Sequence, residues 1–486
     1  MTLAFLPLYI RYLGIEAYAL VGFFGVLQAW MVLFDLGMTP TLAREMARFT
    51  SGSVAPSAIR DLLRTLELVA FGVALAAIAT IWLLADYLSH HWLNAQKLPP
   101  ATVSEAIVLM SFLVGSRFCE AIYRSSLYGL QQQVWFNAVN ATLSTVRYGG
   151  SALILAFVSP TINAFFIWQL AVSLLTLILL GIKLYRTLPP GERPARFSRA
   201  ALKSIQAFAL GMIGINLLAT LLMQVDKVLL SRMLPLDHFG HYMLATTICA
   251  LIMMVVVPVT QAFGPVLVRH IAAHDAERLR RDYHLGAQLI AVLVAPVTMI
   301  LVLFPVDFVT VWSGDAVLAH AVAPSLALLA LGTLLNALMQ MPNGALLAHG
   351  WTRIPLVVNL VAVVFIIPTI LLVVPRFGTA GAAGVWLLLN IGYVLIEIPL
   401  IHRRMLPGEM WPLYRDAMIV PLAAVTMTGL LLLALRSQFD FGRVELGAYL
   451  AFVGIAGTVT AALSTKAVRT VALDTIRKYL AVRKAA

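Results

Sequence analysis

Runs of roughly twenty apolar residues follow one another along most of this chain, and they restrict its fold more than any other feature. Leu285–Val306, Ile354–Val374 and Ala417–Leu435 contain no charged residue at all. A helix needs about 20 such residues to cross a bilayer. Membrane strands are about half that length and alternate apolar with polar positions, which these runs do not. Of the 486 residues, 61% are hydrophobic and 12% charged, about half the charge of a soluble domain. The chain therefore reads as an all-α integral membrane protein with many passes.

The runs predict about 14 transmembrane helices. The first, Met1–Ile10, is about half a span, lacks the basic leader of a signal peptide, and reads as a helix cut short at its N-terminus. Helices 2 to 6 are expected at Ala17–Leu36, Leu62–Leu84, Val103–Tyr123, Trp135–Val158 and Ile162–Tyr185. A basic linker, 186–203, carries Pro189, Pro190 and Pro194 and divides the chain. Helices 7 to 12 follow at Ile205–Met233, Gly240–Phe263, Leu285–Val306, His320–Leu347, Ile354–Val374 and Gly378–Ile401. Two more, Ala417–Leu435 and Leu446–Ser464, precede a basic tail. With both termini cytoplasmic, 24 of the 34 basic residues fall in inner loops or the tail and six in outer loops. Lysine and arginine favour the cytoplasmic side, so this bias supports both the orientation and the even number of spans.

The stretch Met223–Ala245, MQVDKVLLSRMLPLDHFGHYMLA, marks the start of a second half. Its apolar helix carries Asp226 and Lys227, although a charge at mid-membrane costs about 2.5–3.5 kcal/mol on insertion scales. Within it RMLPLDHFGH (Arg232–His241) resembles RYLGIEAYAL (Arg11–Leu20), 221 positions earlier. GPVLVRHIA (Gly264–Ala272) resembles TPTLAREMA (Thr39–Ala47), and IPLVVN (Ile354–Asn359) resembles WFNAVN (Trp135–Asn140). Six helices thus repeat as six, with two extra at the end. The divisions expected are an N-terminal lobe, 1–185, the linker, 186–203, a C-terminal lobe, 204–405, and a two-helix extension, 406–486. Repeats of this size point to a transporter with its site between two bundles, related by a pseudo-two-fold axis along the membrane normal.

In its ordered motifs the chain resembles the oligosaccharide flippase branch of the multidrug/oligosaccharidyl-lipid/polysaccharide exporter superfamily. The residues that carry the resemblance are RYLGIEAYAL, FDLGM (Phe34–Met38), VDKVLLSRMLPLDHFGHYMLA (Val225–Ala245), VVPVTQAFGPVLVRHIA (Val256–Ala272), FPVDFVTVWSGD (Phe304–Asp315) and PRFGTAGAAG (Pro375–Gly384). The short first helix departs from that pattern. The resemblance implies two six-helix bundles that alternate access. It implies a polyprenyl-diphosphate-linked oligosaccharide as substrate, moved between leaflets of a bacterial plasma membrane for O-antigen or exopolysaccharide synthesis. Other polysaccharide-assembly proteins are expected as partners, beside the lipid bilayer itself.

Polar residues inside spans are the candidate site. On helix 4, Arg117, Glu120 and Arg124 are spaced to share one face, which could face an anionic headgroup or form an internal ion-pair ladder. Helix 5 carries Asn137, Asn140, Ser144 and Arg147 in one stripe. Helix 7 places Asn216, Thr220, Gln224 and Lys227 together, with Asp226 rotated away, so Asp226 and Lys227 are expected to be poor partners. The substrate cavity is assigned to Arg117, Glu120, Arg124, Asn137, Asn140, Arg147, Gln224 and Lys227, and coupling or gating to Asp226, Asp35 and Glu397. Helix 10 offers only neutral groups, Asn336, Gln340 and Asn343, so the charged candidates concentrate in the first half.

Other classes fit less well. A cation-coupled multidrug antiporter of the same superfamily is the main alternative, but its cavity should present carboxylates and aromatics rather than arginines. A membrane glycosyltransferase needs a sizeable catalytic loop, and the longest extramembrane segments run to about 20 residues. None of these segments combines a nucleophile, base and orienter, so no enzyme activity is expected, and without an ATP-binding motif transport would be driven by gradients or by substrate supply with no cofactor. Cys119 and Cys249 lie in apolar runs and suggest neither a disulfide framework nor a metal site. The net charge of +12 is accounted for by cytoplasmic loops without invoking nucleic acid.

Overall fold

The computed structural model describes residues 2–189, 193–199, 217, 218, 220–351 and 353–470. Asn216, the start of helix 7, part of the basic linker and the end of the tail lie outside the described residues.

Sixteen helical elements are used below. They are α1 (Thr2–Leu13), α2 (Ile15–Met31, continued as a tighter turn to Asp35), α3 (Met38–Thr50), α4 (Pro56–Tyr87), α5 (Pro100–Gly129), α6 (Gln133–Phe157) and α7 (Ile162–Thr187). Next come α8 (220–233), α9 (Leu236–Ala272), α10 (Ala276–Leu303), α11 (Pro305–Ser313), α12 (Ala316–Leu338) and α13 (Gln340–Ala348). The last are α14 (Arg353–His402), α15 (Met410–Arg436) and α16 (Arg443–Ser464).

Ten of the described helical stretches are long and apolar enough to span a membrane. One of them, α14, runs 50 residues and breaks at Gly378, whose φ of 56° and ψ of −138° leave the helical region. Its arms correspond to the separate eleventh and twelfth spans expected from sequence. Adding the short α1, α6 and α8 recovers the fourteen. Local chemistry sets many of the starts. Pro56 and Pro100 occupy the first turns of α4 and α5, where a missing N–H costs nothing. Asp315 accepts from the Val317 and Leu318 amides at the head of α12, and Thr161 caps α7 through Ala164.

The chain forms two compact units, Met1–Gly240 and His241–Ala486. In the first, α5 is the hub: it packs on α3, α4 and α7 and is buried along most of its length, whereas α4 is largely exposed. In the second, α10 and α12 hold that place, and α10 also receives α15 and α16. Lipid is as apolar as leucine, so helices associate in a membrane by close packing at small residues. Gly429 and Gly457 do this for the last helix pair. A Cβ on either would fall within 3 Å of the Met299 side chain. Val292, Phe304, Leu432 and Val453 fill the same seam. The compact units divide later than the basic linker because residues 231–240 are bonded to the first unit, through the contacts of Trp92 and Asn94 described below.

Candidate functional site

A cavity of about 550 Å³ lies within the first unit between α2, α3 and α5. Gln28, Asp35 and Thr39 line one wall, and Arg117, Ala121, Arg124 and Tyr128 line the other. Those four residues of α5 recur every three or four positions, so one face of the helix looks into the cavity. It extends from the middle of α5 to the helix end at Gly129. At 1.5 Å per residue, Arg117 sits about 25 Å from the Pro100 end.

Arg117 is the centre of the polar structure. Its Nη1 donates to Gln28 Oε1 at 2.9 Å and its Nη2 to Gln169 Oε1 at 3.2 Å. Gln169, almost wholly buried on α7, passes the chain on by donating to Ser151 Oγ at 3.0 Å. The guanidinium also stands over the Phe24 ring, 5.0 Å from its centroid. These partners are neutral and fix the plane of the guanidinium without cancelling its charge. The Arg117 Nε is buried with no hydrogen-bond partner. Arg124 lies exposed at the rim of the same cavity. Asp35 turns its carboxylate to the start of α3, where it accepts from Thr39 N at 3.2 Å and from Thr39 Oγ1 at 2.8 Å.

Glu120 does not share that face. It turns away from the cavity to α6, where its carboxylate lies 3.9 Å from Arg147 Nη2. Arg147 in turn donates to Thr176 Oγ1 of α7 at 3.2 Å. The three-, then four-residue spacing of Arg117, Glu120 and Arg124 holds as a helical pattern, but neighbouring helices select different members of it. Asn137 and Asn140 are on the exposed face of α6 and do not line this cavity. Gln224 is half-buried on α8.

The expectation that Asp226 and Lys227 are poor partners is corrected. Lys227 Nζ lies 3.1 Å from Asp226 Oδ1 and 3.3 Å from Oδ2, and it donates to the Met223 carbonyl at 2.6 Å. Helical neighbours diverge by about 100° at Cα. The four-carbon lysine stem is long enough to fold back and close that angle.

The second unit repeats the arrangement with an amide in place of the guanidinium. Asn336 Nδ2 on α12 donates to Asn390 Oδ1 on α14 at 3.0 Å, and Gln340 extends the chain to Asn336 at 3.4 Å. Tyr393 OH donates to Asn359 Oδ1 at 3.0 Å, linking the two arms of α14. Glu397 is buried one turn beyond, in a wide turn of the helix. The groove between those arms, about 520 Å³, is lined by Val361, Phe365, Val385, Leu389 and Tyr393. Among the described residues no group of three or more His, Cys, Asp or Glu could hold a metal ion.

Gln169 is the functional candidate that sequence reasoning passed over. A single amide inside AFFIWQLAVSLL is a weak signal, although a buried amide in a span demands a partner.

The family model for "Polysaccharide biosynthesis protein" matches residues 61–322. No curated protein sequence matches significantly. Among solved structures, the fold is similar to "Lipid II flippase MurJ, inward closed conformation", with 11% identity, a TM-score of 0.63, and 94% of this chain and 97% of that chain covered. It is also similar to the "Inward-facing conformation of a multidrug resistance MATE family transporter of the MOP superfamily", with 14% identity, a TM-score of 0.64, and coverage of 85% and 95%. The MATE multidrug transporter DinF-BH follows at 15% identity and a TM-score of 0.59, covering 83% and 92%. At these identities the likeness is one of fold.

Proposed function

This chain belongs to the polysaccharide biosynthesis protein family, and from that premise we propose that it is a flippase for a polyprenyl-diphosphate-linked oligosaccharide. It moves the headgroup from the cytoplasmic to the periplasmic leaflet of a bacterial plasma membrane by alternating access, with both termini cytoplasmic. The oligosaccharide serves surface polysaccharide synthesis, as O-antigen or exopolysaccharide.

The observation that carries this reading is the guanidinium of Arg117, held in a cavity by two neutral amides. A cation hydrogen-bonded to amides rather than to a carboxylate suits an anionic ligand, and a guanidinium matches phosphate geometry. Arg124 at the rim adds a second positive charge. A drug-cation antiporter would place those charges against its own substrate. The lipid II flippase MurJ shares the fold, which supports this reading.

In this scheme Arg117 and Arg124 receive the diphosphate, and Asn137, Asn140 and Gln224 serve the sugar path. The Arg147–Glu120 pair supports the wall behind them. Of the three carboxylates considered for coupling or gating, Asp35 lines the cavity and Glu397 is buried in the second unit. Asp226 already has the Lys227 ammonium, which favours a structural role.

The test is flipping in proteoliposomes of defined lipid-linked oligosaccharide, read by an impermeant glycosidase. Arg117→Ala should slow the rate tenfold or more with insertion unchanged, and Arg117→Lys should restore little. An Arg117→Ala protein that flips normally would remove the cavity from the substrate path.

A further inference from the structure

At the end of the first unit opposite the cavity, a short segment ties together two turns that are far apart in sequence. The segment is 92–97, between α4 and α5. The turns are those between α1 and α2 and between α8 and α9. Glu16, the acidic residue of RYLGIEAYAL, is buried at the head of α2. Its Oε2 accepts the Lys97 amide at 2.9 Å, and its Oε1 accepts the Gln96 amide as well. On the other side, the Trp92 indole Nε1 donates to Ser231 Oγ at 3.0 Å, and Arg232 stands over the Trp92 ring at 5.1 Å. Asn94 O accepts the Leu236 amide at 2.9 Å, so Asn94 and Pro235 pair as a single parallel bridge. Gly240 meets the same head of α2 directly. A Cβ there would lie 2.5 Å from the Ile15 carbonyl.

Three features of this arrangement go beyond what a loop needs in order to fold. A buried carboxylate is committed to two backbone amides of a distant loop. The 231–237 turn is held by that same loop through backbone and side-chain contacts together. The turn is also the last chain before α9, which leads into the second unit. The cavity wall ends at Tyr128, at the other end of α5. One end of the unit is therefore open at the cavity, and the opposite end is strapped.

We infer that segment 92–97, anchored by Glu16, Trp92 and Asn94, is a strap that closes the outer end of the first unit and must let go of the 231–237 turn when the cavity opens outward. The inference rests on the flippase reading for its direction, since that reading places the α1–α2 and α8–α9 turns outside. When the strap releases, Gln96 and Lys97 lose the Glu16 carboxylate, and Leu236 loses Asn94.

Two experiments on the full chain, the first in lipid nanodiscs, test it without any transported substrate. The first is hydrogen exchange in the Glu16→Ala variant, with Glu16→Gln as the conservative control. A strap acting as one piece predicts exchange at least tenfold faster at Gln96 and Lys97. It predicts the same for Leu236, which Glu16 does not touch, with partial return in Glu16→Gln. Faster exchange confined to Gln96 and Lys97 would reduce Glu16 to a local cap and overturn the inference.

The second is a reversible lock, Asn94→Cys with Pro235→Cys. Paired residues of a bridge lie near the Cα separation that a disulfide requires. Both native thiols, Cys119 and Cys249, are buried and are replaced by alanine in this background. A reporter, Gln28→Cys, is labelled in sealed liposomes that hold the protein right side out, so that an impermeant maleimide reaches it from the outer side only. Labelling should be at least tenfold slower in the oxidised protein than in the reduced one. Equal labelling in both, or none in the reduced protein, would overturn the strap. Failure of the unsubstituted chain to flip lipid-linked oligosaccharide would instead count against the flippase reading.

Discussion

The two units solve one problem with different chemistry. Each joins two helices through a polar pair inside the membrane: Arg117 to Gln169 in the first, Asn336 to Asn390 in the second. Gln169 and Asn390 are 221 positions apart, the same offset that relates Arg11 to Arg232 in the repeat. The first unit, however, carries a guanidinium beside a cavity with Asp35 and Arg124 on its walls. The second joins its helices through amides with no guanidinium, and its groove is lined mostly by valine, leucine, isoleucine and phenylalanine, with the buried Glu397 one turn beyond. A neutral amide pair is sufficient to bind helices in lipid. Packing alone does not require the extra charge of the first unit, and under the proposed function it receives the anionic ligand. The comparison therefore teaches where to look for chemistry: in the departure of one unit from its partner.

Breaking the Glu120–Arg147 contact should have the largest effect. Removing one member of a buried pair costs about 3–5 kcal/mol, because the other charge is left behind. Glu120→Ala should lower the melting temperature in nanodiscs markedly, and adding Arg147→Ala should recover much of the loss. Equal destabilisation in the single and double variants would show that the two side chains are not a unit. Arg117→Ala comes next. Hydrogen bonds to a charged group are worth about 1.5–3 kcal/mol, so a flipping rate reduced by tenfold or more is expected. Its counterpart in the second unit, Asn390→Leu, removes an interhelical bond worth about 0.6 kcal/mol on average in a membrane protein. Flipping should fall less than threefold there. A loss equal to that of Arg117→Ala would erase the distinction between the units. Asp226→Asn should have the smallest effect on energetics of transport, leaving any response to a proton gradient in place. Loss of that response would assign Asp226 to coupling despite its ion pair with Lys227.

Much of this was legible in the sequence. Apolar runs located the spans, because bilayer thickness imposes a length that no loop needs. The break in α14 was readable from PRFGTAGAAG, where Pro375 and Gly378 interrupt a continuous apolar stretch. Arg117 and Arg124 stand on one wall, as their seven-residue spacing requires. Helical periodicity could not say which neighbour each side chain meets, and so it grouped Glu120 with the cavity although α6 claims it. It also treated Asp226 and Lys227 as divergent, because an angle at Cα says nothing about the reach of a lysine. Gln169 and Glu16 went unassigned for a similar reason. Their partners, Arg117 on α5 and the amides of 96–97, are some 50 and 80 residues away along the chain, and only the packed helices bring them together.

The most direct test of the central claim is made in a deletion strain. The measurement is the leaflet on which lipid-linked oligosaccharide accumulates, read on spheroplasts with a membrane-impermeant lectin. The account predicts oligosaccharide protected on the cytoplasmic side, with exposure restored by the intact gene and not by the Arg117→Ala variant. Normal exposure in the deletion strain, with cationic dyes retained instead, would contradict it and make the protein a drug antiporter.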